Sequence, residues 1–214
     1  MKRRLFYALL LIGWLLGGMA AAGDYQVSRR YSDDGLVKDF GANIILKGSP
    51  EQIIKFTRWL DQIAMVPKGY RTLMQIFNTP HELVIQHADY AVQSAGRTMA
   101  PMTMSLINGV GESVHILFDA RTGDRGSHMV YNAKMELIEY SAVQNLYHEL
   151  AHAMHQMSGT WRYFASEAQA IEEENVFRSQ LAAIQGLTPT QRYRKTGVRI
   201  SDIEAGAVPE VMPR

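Results

Sequence analysis

The sequence predicts an α+β fold in which a mixed sheet of short strands packs on a helix bearing a His-Glu-x-x-His pattern and on a second helix that follows it. Three observations carry this expectation. Short runs with strand chemistry alternate with helical segments, His148, Glu149 and His152 stand on one of those helices, and the next long helical segment places glutamates on its apolar side. Hydrophobic residues make up 47% and charged residues 20% of the chain, which is the balance of an ordinary globular domain. Cysteine is absent, so disulfide scaffolds, thiol catalysis and cysteine-based zinc sites are excluded. The formal net charge of +1 gives no electrostatic signal for a nucleic-acid partner.

Before the fold begins, Lys2, Arg3 and Arg4 precede an apolar run over residues 5–16, and Ala20, Ala21 and Ala22 stand ahead of Gly23. That is the pattern of a secretory signal peptide over residues 1–22. An uncleaved anchor is the alternative, because residues 5–22 fall at the short end of the ~17–25 that span a bilayer. A buried core helix is a third reading. Losing the three basic residues lowers the formal charge from +1 by three, to −2. Without cysteine no lipid anchor can be attached at the cleavage site. The expected location is the bacterial periplasm or the exterior, with membrane contact only if the segment is retained. The domain then runs over residues 23–200. Residues 201–214, with Pro209 and Pro213, read as a loosely ordered tail.

Residues 42–47 form the first strand candidate. Ser49 then caps a helix with Pro50 at its first position and Gln52 completing a capping box. Ile53, Ile54, Phe56, Trp59, Leu60 and Ile63 give that helix a core-facing side. Pro67 opens a second helix to about Phe77. Residues 82–87 and 114–119 read as strands, while residues 91–111 carry no clear period and stay unassigned. Residues 121–126 have turn chemistry, and 127–131 return as an edge strand that could pair with an extended substrate, or form an ordinary hairpin.

Ser141 and Gln144 form a second capping box, and Gly159 marks the end of that helix. Val143, Leu146, Tyr147, Leu150, Met154 and Met157 recur at helical spacing, with His148, His152 and His155 on the opposite side. One face therefore packs and the other looks into a cleft. Four residues turn through ~400°, which leaves the imidazoles of His148 and His152 within ~40° of each other and one pitch apart. Both can hold one zinc ion, with Glu149 placed as general base. Three histidines on one helix cannot all converge on one ion. His155 is therefore expected at the cleft rim, with support of a ligand as the alternative.

A catalytic zinc needs a third protein ligand and leaves its fourth position to water. In the helix expected over residues 164–184, Ala170, Ile171, Phe177 and Leu181 set the buried side. Glu167 and Glu174 fall on it, whereas Glu172 and Glu173 point to solvent. Carboxylates on an apolar face require a metal or a cation. Glu167, fifteen residues after His152, is assigned as the third ligand, with Glu174 as the alternative. Glu174 also fits an ion pair with Arg178 or the orienting of a ligand imidazole.

Several stretches together resemble the NleD-like effector zinc metallopeptidases, secreted bacterial proteins with a compact zincin-type fold. They are GSPEQIIKFTRWLDQIAMVPKGYRTLMQIF, RGSHMVYN, LYHELAHAMH, SEAQAIEEENVFRSQL and GLTPTQRY, spanning roughly residues 42–193. The resemblance implies zinc peptidase activity resting on His148, Glu149 and His152, with a downstream acidic ligand that Glu167 matches. It also points to Tyr193 as a candidate oxyanion donor, against a purely structural tyrosine. The expected reaction is hydrolysis of a protein or peptide by a zinc-acidified water whose proton Glu149 takes. Alternatives are a non-catalytic secreted metal-binding or partner-binding protein, and a hydrolase of peptidoglycan cross-bridges. Oligomeric state leaves no mark in the sequence.

Overall fold

The computed structural model describes residues 29–32, 35–39, 43–88, 96–193 and 197–206. The segment read as a signal peptide, and residues 207–214 of the expected tail, lie outside them. Among the described residues no helix is long and apolar enough to cross a membrane.

Six strands form the main sheet: β1 (Arg29–Ser32), β2 (Gly35–Asp39), β3 (Ile44–Gly48), β4 (Leu83–His87), β5 (Gly96–Met99) and β6 (Val114–Phe118). Their spatial order is β1-β2-β3-β4-β6-β5. β3, β4 and β6 run parallel, and the outer strands are antiparallel to their neighbours, so the sheet is mixed, as expected. Alternation sets its buried face. Ile44 and Leu46, Leu83 and Ile85, and Val114, Ile116 and Phe118 point inward and are buried.

Helix α1 (Pro50–Ala64) starts with both bonds of the Ser49/Gln52 capping box formed. It buries Ile53, Phe56, Trp59, Leu60 and Ile63 against the sheet. Ile54, expected in the core, is 67% exposed. At ~100° per residue it falls opposite the stripe centred on Phe56, Leu60 and Ile63. Phe56, Trp59 and Phe118 pack edge to face with centroids 5.6 to 6.4 Å apart. Helix α2 (Pro67–Phe77) follows directly, with Pro67 in its first turn.

Helix α3 (Ala142–Met157), the histidine-bearing one, begins at the Ser141/Gln144 capping box. It ends before Gly159, whose φ is +65°; a Cβ there would stand 2.5 Å from Val110 N. Only glycine satisfies both the backbone angle and the close approach. The helix is buried on nearly every side, because α4 (Ser166–Gln185) covers what the sheet, α1 and α2 leave open. Tyr147 and Phe177 stack at 4.0 Å between α3 and α4, and the Tyr147 hydroxyl meets that of Thr72 on α2 at 3.0 Å. A 3-10 turn over Tyr163–Ala165 precedes α4, which begins slightly later than the sequence predicts.

Two departures matter for the site. The unassigned stretch contributes β5, an edge strand beside α3; Gly96, Arg97, Thr98 and Met99 have no apolar alternation to announce it. Residues 91–95 of that stretch lie outside the described residues. The expected edge strand is also not an edge: β7 (His128–Tyr131) is the middle strand of a second sheet, between β8 (Leu137–Tyr140) and β9 (Gly197–Arg199). β9 leaves no mark in the sequence because it is three residues long and stands where the domain is expected to end. With both sides of β7 paired, no substrate strand can add there. After β9 the chain continues as a short helix, α5 (Ile200–Glu204).

Candidate metal centre

Helices α3 and α4 bring the sequence-predicted ligands together. His148 and His152 are 4% and 9% exposed, with ring planes at 89° and centroids 4.8 Å apart. Glu167, in the first turn of α4, reaches both. Its Oε2 stands 3.5 Å from His148 Nε2, and its Oε1 stands 3.4 Å from His152 Nε2. Ligands held ~2.0–2.1 Å from a tetrahedral ion are roughly 3.3 Å from one another. Each imidazole nitrogen thus meets one oxygen of the same carboxylate at about this spacing, one ligand atom from each of the three residues lies within 4.8 Å of the others, and the three form a cluster that could hold a divalent ion. Among the described residues the cluster has three members, and all of them line a cavity of about 330 Å³.

Glu149 lines the same cavity, 6% exposed. Its Oε2 accepts a 2.6 Å hydrogen bond from the Thr98 hydroxyl on β5, which also donates to the Glu149 backbone oxygen at 3.1 Å. A Cβ at Gly96 would meet Glu149 Cγ at 2.8 Å. The edge strand that the sequence did not reveal thus cradles the carboxylate with the absence of one side chain and the hydroxyl of another.

Glu174 lies on the other side of His148. It is fully buried, and its Oε2 accepts from His148 Nδ1 at 3.0 Å and from Arg192 Nη1 at 2.9 Å. Arg192 Nη1 also lies 3.3 Å from His148 Nδ1; since Glu174 accepts from both, that approach is two donors sharing one acceptor. Arg178 approaches Glu174 Oε1 at 3.5 Å. The ion pair and the imidazole-orienting role are therefore both present. Glu167 and Glu174, seven residues apart on one face of α4, face the two nitrogens of one ring.

Three sequence expectations change. His155 is not at the cavity rim: its Nδ1 meets Thr160 Oγ1 at 2.8 Å, and its Nε2 lies 3.6 Å from Glu173 Oε1. Glu173 does not point to solvent, because Lys68 of α2 also pairs with it. The His155 contact and that ammonium outweigh partial burial and hold the Glu173 carboxyl down to about 2. Glu172 is exposed as expected, beside Arg162. Tyr193 is 60% exposed and is not among the residues that line the cavity. Its neighbour Arg192 lines the cavity and donates to the Tyr140 hydroxyl at 3.0 Å. Burial, with the Glu174 charge adding, pushes the Tyr140 phenol well up, so it keeps its proton. Only the position of Arg192 beside Tyr193 in the family-like stretch could have flagged it.

Electrostatics predict how the metal-free protein behaves. Burial alone would lower the His148 pKa, but the Glu167 and Glu174 carboxylates override it and raise it to about 9. Those contacts, against the burial that opposes them, lower both glutamates. A raised histidine contributes stability that is complete below its unfolded value of ~6.5 and is lost as pH climbs through about 9. The depressed glutamates contribute above their unfolded ~4.3 and lose it as pH falls. Chelator-treated protein is therefore expected to melt at its highest temperature between roughly pH 4.5 and 6.5. A melting temperature that climbs from pH 6.5 to 9 would contradict this arrangement.

No protein-family model matches the chain, and no curated protein matches it. Among solved structures it is similar to the botulinum neurotoxin serotype C1 light chain protease, at 12% identity and a TM-score of 0.44, covering 64% of this chain and 52% of that one. The Clostridium botulinum neurotoxin serotype F light chain gives 10% identity and 0.44 over 62% and 52%. The serotype HA light chain gives 12% and 0.44 over 64% and 51%. The chain spans about half the length of these structures.

Proposed function

We propose that this protein is an exported zinc-dependent endopeptidase. The observation that carries the reading is a three-donor cluster facing a cavity whose wall also holds a buried carboxylate next to it in sequence. A structural zinc site is closed by a fourth protein ligand, whereas a catalytic one stays open on one side. Two imidazoles and a carboxylate suit zinc. His148, His152 and Glu167 would hold it, and it would supply Lewis acidity toward a peptide carbonyl and toward water.

The chain's own residues do the rest. Glu149, with Oε2 engaged by Thr98, takes the proton of the attacking water at Oε1 and passes it to the departing amine. Arg192 and Tyr140 line the same cavity and are the donors for charge developing on the carbonyl oxygen. They fill the role that the sequence offered to Tyr193. An extended substrate pairs alongside β5, the last strand of the main sheet among the described residues, whose Gly96, Arg97 and Thr98 line the cavity. Export rests on the basic, apolar and small-residue pattern of residues 1–22, and kinship with the NleD-like peptidases rests on the ordered segments quoted above.

The test is direct. Purified protein is expected to contain one zinc per chain and to cleave members of an unbiased peptide library. Cleavage should be lost on chelation and restored by zinc. Bound zinc without any cleavage would leave a non-catalytic metal protein instead.

A further inference from the structure

Residues 187–193 follow α4 without regular secondary structure. Their side chains are exposed, with one exception: Arg192 is 6% exposed. An exposed segment outside regular secondary structure does not by itself hold a guanidinium at a buried carboxylate, because each unfixed backbone residue retains conformational entropy. At its far end Tyr193 N donates to Tyr131 O of β7 at 2.8 Å, and the rest of the hold on residues 190–192 comes from α4. The Asn175 carboxamide accepts from Arg192 N at 2.7 Å and donates to Arg192 O at 2.8 Å, the two bonds a neighbouring strand would supply. One turn further along, Arg178 donates from Nε to Thr190 O and from Nη2 to Thr190 Oγ1, each at 2.9 Å. The same guanidinium donates to Glu139 O at 2.8 Å and to Gln144 Oε1 at 3.0 Å. It thereby ties the segment to the end of β8 and to the capping box of α3.

We infer that Asn175 and Arg178 are positioning residues: they strap residues 190–192 across α4 so that the Arg192 guanidinium is delivered to Glu174, Tyr140 and the cavity. The inference rests on the peptidase reading and adds that reaching the transition state depends on a clamp outside the cavity. Neither Asn175 nor Arg178 lines the cavity, so Asn175 acts through Arg192, and Arg178 through Arg192, Glu174 and the elements it ties down. Asn175 is the cleaner probe, because Arg178 also compensates the buried charge of Glu174.

The experiment is a double-mutant cycle on zinc-loaded, full-length protein, using a library peptide that the wild type cleaves. Zinc content and amide hydrogen exchange are read alongside kcat and KM. Asn175→Ala is expected to speed exchange at Arg192, leave zinc content unchanged and lower kcat by ~10²-fold with little change in KM. Arg192→Ala is expected to lower kcat by ~10²–10³-fold, and adding Asn175→Ala to it should cost nothing more. Asn175→Asp, which keeps the acceptor for Arg192 N and loses the donor to Arg192 O, should fall between Asn175→Ala and wild type, and reads the same coupling if the alanine variant does not fold. Full additivity, or wild-type kcat in both Asn175 variants, would overturn the positioning role while leaving the peptidase standing. A wild type that cleaves nothing would instead remove the peptidase reading, and this inference with it.

Discussion

Replacing Glu149 with alanine is expected to lower kcat by ~10²–10⁴-fold while the zinc content of the purified protein stays at the wild-type level. The expectation separates base from ligand. Glu149 is not in the three-donor cluster, and its carboxylate is tied to Thr98 on the neighbouring strand, so its removal should leave the grip of His148, His152 and Glu167 intact. The proton carrier is what disappears. Water then has to give up its proton without a positioned acceptor, and the leaving amine departs without a positioned donor. Kinetics and metal analysis on the same preparation decide it. Undiminished cleavage would sink the general-base assignment, and loss of zinc along with activity would show Glu149 to be part of the metal grip.

Much of this arrangement is legible in the sequence because it is local. A capping box, four-residue spacing and a terminal glycine specify α3 within one stretch of nineteen residues, 141–159, and the residue types on it name its chemistry. Glu167 is legible together with Glu174, as one of two carboxylates on an apolar side in need of a cation. The unread parts are those where a residue's role depends on a distant partner. Thr98 looks like any polar residue until β5 pairs with β6 and sets it against Glu149. Arg192 sits in an irregular, polar segment, and its burial depends on Asn175 and Arg178 one helix away. The middle position of β7 depends on β9, which is too short to show a period. His155 and Glu173 lie elsewhere than expected for a related reason. A helical wheel ranks faces by hydrophobicity, whereas their surroundings are set by which neighbouring helix, here α2 or α4, covers each side.

The sharpest test of the α3–α4 contact is Glu174. Replacing it with alanine is expected to destabilise the metal-free protein by ~3–5 kcal/mol and to weaken zinc binding by ~10–100-fold. Arg178 and Arg192 are both buried beside it, so its removal leaves two guanidiniums without their shared counter-charge, and His148 loses the acceptor that fixes its ring. At this chain length the stability loss corresponds to a fall in melting temperature of roughly 10 °C. The pH response should change as well. The Glu174 carboxyl is held low, against the opposing effect of burial, by His148, Arg192 and Arg178. The wild type therefore loses that part of its stability on acidification, and the alanine variant should lose less over the same range. Glu167→Ala should behave differently. Its side chain is 36% exposed and its close partners are the two imidazoles, so the metal-free protein should melt within a few degrees of wild type while zinc binding collapses. A Glu174→Ala protein that melts like wild type but no longer holds zinc would reverse the two assignments and make Glu174 the third ligand.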